Sequence, residues 1–183
     1  MHKKTRPGIL GIILSPMQMR SACRLLVATA TLTAVGLADG GASAPAITQL
    51  KTLLPSTDYV RDGTPQAIIL WGEGLQNVAE TLSDELARRS GTRLQARAAD
   101  EVVSRWWEID FQQIEGKNII ALGNINSNRL LAVLWGAGYT AEDSMYPGDG
   151  GYVIRSVHDP FGRGFNVLVL AGSDADDVQN ASE

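Results

Sequence analysis

The chain has 183 residues, a net charge of −4, 44 % hydrophobic residues, one cysteine and two histidines. That hydrophobic share is enough for a packed core, and the acidic balance argues against nucleic acid or an anionic membrane surface as partner. Cysteine and histidine are too scarce for a thiolate or multi-histidine metal site, and no H-E-x-x-H occurs.

The first 44 residues read as a signal peptide. From Met1, MHKKTRP precedes a short apolar GILGIIL; from Met19, MRSACR precedes LLVATATLTAVGLA, a core of the expected length. Met19 is the favoured start, and cleavage is expected at Ala42-Ser43-Ala44 or at Ala44-Pro45-Ala46. The Leu25–Ala38 run is too short and too rich in Thr and Ala for a stable membrane span, and an uncleaved anchor is the alternative to a cleaved leader. An exported protein is therefore expected, periplasmic or extracellular, with no membrane contact after cleavage. The leader takes five of the sixteen basic residues, one of the twenty acidic ones, and the sole cysteine, Cys23. Eleven basic and nineteen acidic residues remain, a net of −8.

Residues 45–65 form a lead-in whose Ile47, Leu50, Leu53 and Leu54 suggest an amphipathic turn or two. The domain proper is expected over 66–183. Gln66–Leu70 predicts a strand, and Leu75–Ser90 a helix with Val78, Ala79, Leu82 and Leu86 on one face and Gly91 as its stop. Thr92–Ala98 alternates as a half-exposed strand. Asp100–Gln113 has no clear period, and Trp106 and Trp107 are expected to pack over a sheet edge. Asn118–Leu122 predicts a buried strand. Ser127 or Asn128 is placed to cap a helix over Arg129–Gly136, with Leu130, Leu131, Leu134 and Trp135 facing inward. After a polar loop, Gly138–Gly151, the chain spells strand (Tyr152–Val157), turn, strand (Val167–Ala171) and a helix start capped by Ser173 or Asp174. The fold class predicted is α/β (α+β): a mixed sheet, helices mainly on one face, ending in an antiparallel hairpin and a helix. That last helix has little length before Glu183, which suggests a domain truncated at its C-terminus.

Chemical candidates are few. His158 sits beside Asp159 in a turn with no G-x-S-x-G in the chain, so a solvated turn histidine is the expectation. Gly72-Glu73-Gly74 resembles half of a dinucleotide fingerprint, but Asn77 stands where the third glycine belongs, and a tight turn is expected instead. The turn Leu122–Asn128 offers amides at a helix start, where Asn and Ser are ordinarily caps. Trp71 and Trp135 lie beside core elements and are expected to be buried. Trp106 and Trp107 are the candidates for sugar contact. No catalytic residue, metal ligand or cofactor-binding residue is assigned.

The run NIIALGN, a polar loop, GDGGYVIRSV, a turn and NVLVLAGSDADDV resembles the small N-terminal α/β domain of bacterial carbohydrate-active enzymes, as in alpha-glucuronidases and beta-N-acetylhexosaminidases. Gly151-Tyr152-Val153-Ile154 matches the first strand of that domain's hairpin, and Val167–Asp174 the second strand and helix start. The resemblance spans Pro65–Glu183 and is structural. It implies a non-catalytic accessory domain of an exported glycoside hydrolase or polysaccharide lyase. The catalytic acids of that family lie in a downstream domain, which would be this domain's partner, with polysaccharide or oligosaccharide as ligand. A free-standing carbohydrate-binding or interaction module is the alternative.

Overall fold

The computed structural model describes residues 56–183. The expected leader, both candidate starts and the Ile47–Leu54 turns lie outside the described residues. The lead-in ends in a small hairpin, β1 (Val60–Arg61) and β2 (Thr64–Pro65). Asp62 (φ 49°) and Gly63 (φ 71°) make its two-residue turn, the positive-φ pair that matches strand twist. The composition of this stretch had suggested only a lead-in.

The remaining strands form one five-stranded sheet. They are β3 (Ala67–Trp71), β4 (Gln95–Ala98), β5 (Asn118–Gly123), β6 (Tyr152–Val157) and β7 (Val167–Gly172). The order is β4-β3-β5-β7-β6, parallel except for β6, which runs antiparallel to β7. The mixed sheet and the terminal hairpin are as the sequence predicts. The three central strands are almost wholly buried, which their continuous apolar runs anticipate.

Among the described residues four helices accompany the sheet: α1 (Gln76–Ser90), α2 (Ala99–Val102), α3 (Arg129–Gly136) and α4 (Ala175–Ser182). The α1 and α4 helices share one face, packing Ala79, Leu82, Val178 and Ala181 on Ala67, Ile69, Ile120, Leu122 and Leu170. The other face is covered too. There Val102 of α2 and Leu130, Leu131 and Leu134 of α3 meet Ile68, Leu70, Ile119, Val167 and Val169. The greater helical length is on one face as expected, yet the sheet is a middle layer rather than a floor. The cause is the period of two: Ile68 and Ile69 are both apolar and point to opposite faces, so each face needs a cover. A right-handed crossover explains which cover goes where. From β3 the chain moves one way to β4 through α1; from β5 it moves the other way to β7 through α3, and so uses the opposite face.

Trp135 departs from its expected burial: it is 52 % exposed although Leu134 beside it is fully buried. It stands about 100° round the helix from Leu134, at the flank of the apolar stripe and one residue from the helix end. On β6, Tyr152 (49 %) and Ile154 (57 %) are exposed on the α4 side, while Val153 and Arg155 point to the other face. Among the described residues no helix is long and apolar enough to cross a membrane.

Candidate functional site

The carboxyl ends of β3, β4, β5 and β7 gather four loops at one end of the sheet. Between β3 and β5 the connections diverge, the place where open α/β sheets leave a crevice. Here two loops close on each other. Glu73 donates its backbone N–H to the Ser127 carbonyl (2.9 Å), and a Cβ on Gly72 would lie 2.9 Å from the Ser127 carbonyl carbon. Gly72 is therefore required for loop packing, and Gly74 supplies φ 79° ahead of α1. The tight-turn expectation for Gly72-Glu73-Gly74 accounts for both glycines.

Two asparagines fix this end. Asn124 is buried; its side-chain amide donates to the carbonyls of Gly172 (3.0 Å) and Ser173 (3.3 Å), and its Oδ1 accepts from the amides of Asn126 and Ser127. Asn128 caps α3, its Oδ1 accepting from Leu130 and Leu131, while its Nδ2 donates to the carbonyls of Leu70 and Leu122. Sequence reasoning placed a cap at Ser127 or Asn128 but missed these bonds to distant strands. The cap of α4 is Asp174, whose Oδ1 accepts from Asp177.

Two crevices share Glu73, Asn126 and Ser127. One, of about 540 Å³, adds Trp71, Asp100 and Arg129; the other, of about 290 Å³, adds Ser144, Ser173 and Asp174. Arg129 is tethered through Nη1 to the Val103 carbonyl (3.2 Å). Amides, hydroxyls and carboxylates line both crevices, with Leu75, Ala175 and Val178 adding apolar surface to the smaller, a set able to hydrogen-bond a polar ligand.

Trp106 and Trp107 do not cover the sheet edge. They occupy a turn between Val103 and Ile109, which form an antiparallel bridge. Ser104 holds the turn: its Oγ accepts from the amides of Trp106 and Glu108 (3.2 Å each), and its carbonyl accepts from Trp107 (2.9 Å). Trp107 has φ 64°, an uncommon state for a bulky side chain that local contacts must impose. Both rings face solvent, Trp106 at 74 % and Trp107 at 58 % exposure, and the Arg105 guanidinium lies 5.0 Å from the Trp106 ring centroid. The expected packing fails because consecutive residues in a tight turn have no sheet beneath them.

A shallow groove of about 390 Å³ runs at the foot of this turn, lined by Asp100, Glu101, Ser104, Glu108, Asp110 and Gln113. Asp100 also lines the larger crevice, so turn and crevice adjoin. The Gln113 side chain donates to Asp110 Oδ2 (2.9 Å), which holds the Asp110 carboxyl below its ordinary range.

His158 lies at the opposite end of the sheet, in the turn joining β6 to β7. Asp159 organises that turn, its Oδ1 accepting from Arg163 (2.7 Å) and Gly164 (2.9 Å), and Phe161 and Phe165 pack there with Phe111. The histidine is thus remote from the crevice. Among the described residues no group of three or more His, Cys, Asp or Glu side chains is placed to hold a metal ion. No protein-family model matches the chain, and no curated protein matches it.

Proposed function

We propose that this chain is a non-catalytic accessory domain of an exported polysaccharide-processing enzyme, a glycoside hydrolase or polysaccharide lyase. The observation that carries the reading is the apolar strip on β6. Tyr152 and Ile154 are both about half exposed on the hairpin whose sequence bears the family resemblance. An apolar strip on an edge strand beside a short helix suits burial against another domain of the same polypeptide. The antiparallel register from Tyr152↔Gly172 to Val157↔Val167, leading directly into α4, is what the resemblance requires of that hairpin. The remoteness of His158 from the crevice further supports binding rather than catalysis.

The test is the encoding gene and its product. The reading frame should continue beyond Glu183 into a catalytic domain. Amides of Tyr152–Val157 should then exchange with solvent more slowly in the longer polypeptide than in the 183-residue chain. A stop codon directly after Glu183, or equal exchange in both, contradicts the proposal. The exposed tryptophan turn favours a second reading, a free-standing carbohydrate-binding module, which that stop codon would leave standing.

A further inference from the structure

We infer that the Ser104–Glu108 turn is a carbohydrate-binding platform whose ligand is a neutral glycan rather than a uronate. The inference rests on the carbohydrate-processing reading above and names the ligand class of its binding surface. Three observations converge on it. First, two adjacent indoles are presented to water by a turn in which the amides of Trp106 and Glu108 donate to the Ser104 hydroxyl, that of Trp107 donates to its carbonyl, and the Ser104 amide donates to the Glu108 carbonyl. A large aromatic left exposed forgoes its burial, and a pair forgoes twice as much. Here the backbone adopts φ 64° at Trp107 while both rings stay exposed. Such conformations are held by their surroundings and gather at functional sites.

Second, the ring chemistry fits a pyranose. The electron-rich face of an indole attracts the weakly positive C–H bonds on the apolar face of a sugar. Arg105 lies over Trp106, and a cation there restrains the ring. Third, the groove below supplies hydrogen-bonding groups for hydroxyls. Asp100, Glu101, Glu108 and Asp110 bring carboxylate acceptors, and Gln113 its side-chain oxygen, its Nε2 being held by the Glu101 carbonyl and Asp110. Glu101 is ion-paired with Arg97 (3.2 Å), so the remaining negative charge of Asp100, Glu108 and Asp110 sets the sign of the discrimination. A uronate chain would place its charges beside them, whereas neutral hydroxyls donate to them. The same charges disfavour an anionic lipid surface.

The experiment titrates the full chain with neutral oligosaccharides (cello-, xylo- and manno-series) and with oligogalacturonate, by calorimetry. The parent should bind at least one neutral series and bind oligogalacturonate at least about tenfold more weakly. Trp106→Ala and Trp107→Ala should each weaken that binding roughly tenfold, while Trp135→Ala, nearly as exposed as Trp107 but on α3, leaves it unchanged. Since both turn indoles are exposed, the variants should keep the parent's melting temperature, which is measured alongside. The inference is overturned if no neutral oligosaccharide binds, if the uronate binds as well or better, or if the two turn variants retain full affinity. Failure here combined with a reading frame that continues into a catalytic domain would remove the platform and leave the accessory-domain reading in place.

Discussion

Asn128 Nδ2 lies 3.0 Å from the carbonyl oxygen of Leu70, a residue 58 positions earlier in the chain. This one side chain closes the end of β3, bonds β5 through the Leu122 carbonyl, and caps α3. Replacing it with alanine removes the cap and leaves buried carbonyls short of donors. Asn128→Ala should lower stability by about 2–4 kcal/mol, read from urea unfolding midpoints. Asn128→Asp keeps the acceptor but loses both donors and buries a charge, so it should rescue little.

Gly172 is held by steric need rather than by dihedral angle. A Cβ there would lie 2.3 Å from Asp177 Cβ in α4. Gly172→Ala should therefore destabilise by about 1–3 kcal/mol as α4 is pushed from the sheet. Gly136 is the control: nothing lies within 4 Å of its added Cβ, and it ends α3. Gly136→Ala should be neutral or stabilising, by up to about 1 kcal/mol. Thermal unfolding of both variants checks the contrast.

Glu142, in the loop between α3 and β6, is buried, and its Oε1 meets Arg155 Nη2 at 2.9 Å. Arg155 also donates from Nη1 to the Tyr139 carbonyl (2.9 Å), so the pair ties the loop to the edge strand. The two partners are unequal, because Arg155 reaches solvent and Glu142 does not. Arg155→Met leaves a buried carboxylate uncompensated and should cost about 3 kcal/mol or more. Glu142→Gln leaves a cation that water can reach, and should cost less. Equal losses in chemical denaturation would contradict this.

How much of this was legible in the sequence depends on where each residue's partners lie. The α1 helix was readable because its apolar spacing and Gly91 stop are local; Gly91 takes φ 77° and its amide bonds the Ala87 carbonyl. The β6–β7 hairpin was readable for the same reason. The bonds of Asn124 to Gly172 and of Asn128 to Leu70 span 48 and 58 residues, and nothing local announces them. The Asp62-Gly63 hairpin carried a standard turn signal, but its strands are only two residues each, too short to show a period. Asp100–Gln113 shows no clear period, so the expectation that Trp106 and Trp107 pack over a sheet edge had no local pattern behind it. The deciding residue was Ser104, whose hydroxyl folds the segment back before a strand can extend.

Acid should act on the groove below the tryptophan turn through Asp110. Its carboxyl titrates below the ordinary aspartate range, chiefly because the Gln113 side chain donates to it, aided by the amides of Gln112 and Gln113. A depressed folded-state value means that the contribution is present above the unfolded value and is lost as pH falls through the folded one. Gln113→Ala should move the Asp110 carboxyl back up toward the ordinary range, seen in a carboxyl-carbon NMR titration. An unchanged midpoint would show that Gln113 is not the cause.

The most direct measurement of the central claim, that this domain contacts carbohydrate through its exposed turn, follows the four indole N–H signals by NMR. A neutral oligosaccharide is titrated into the full chain. The account predicts that the Trp106 and Trp107 indoles shift together and saturably while those of Trp71 and Trp135 stay in place. Four unmoved indoles, or shifts confined to Trp71 and Trp135, would contradict it.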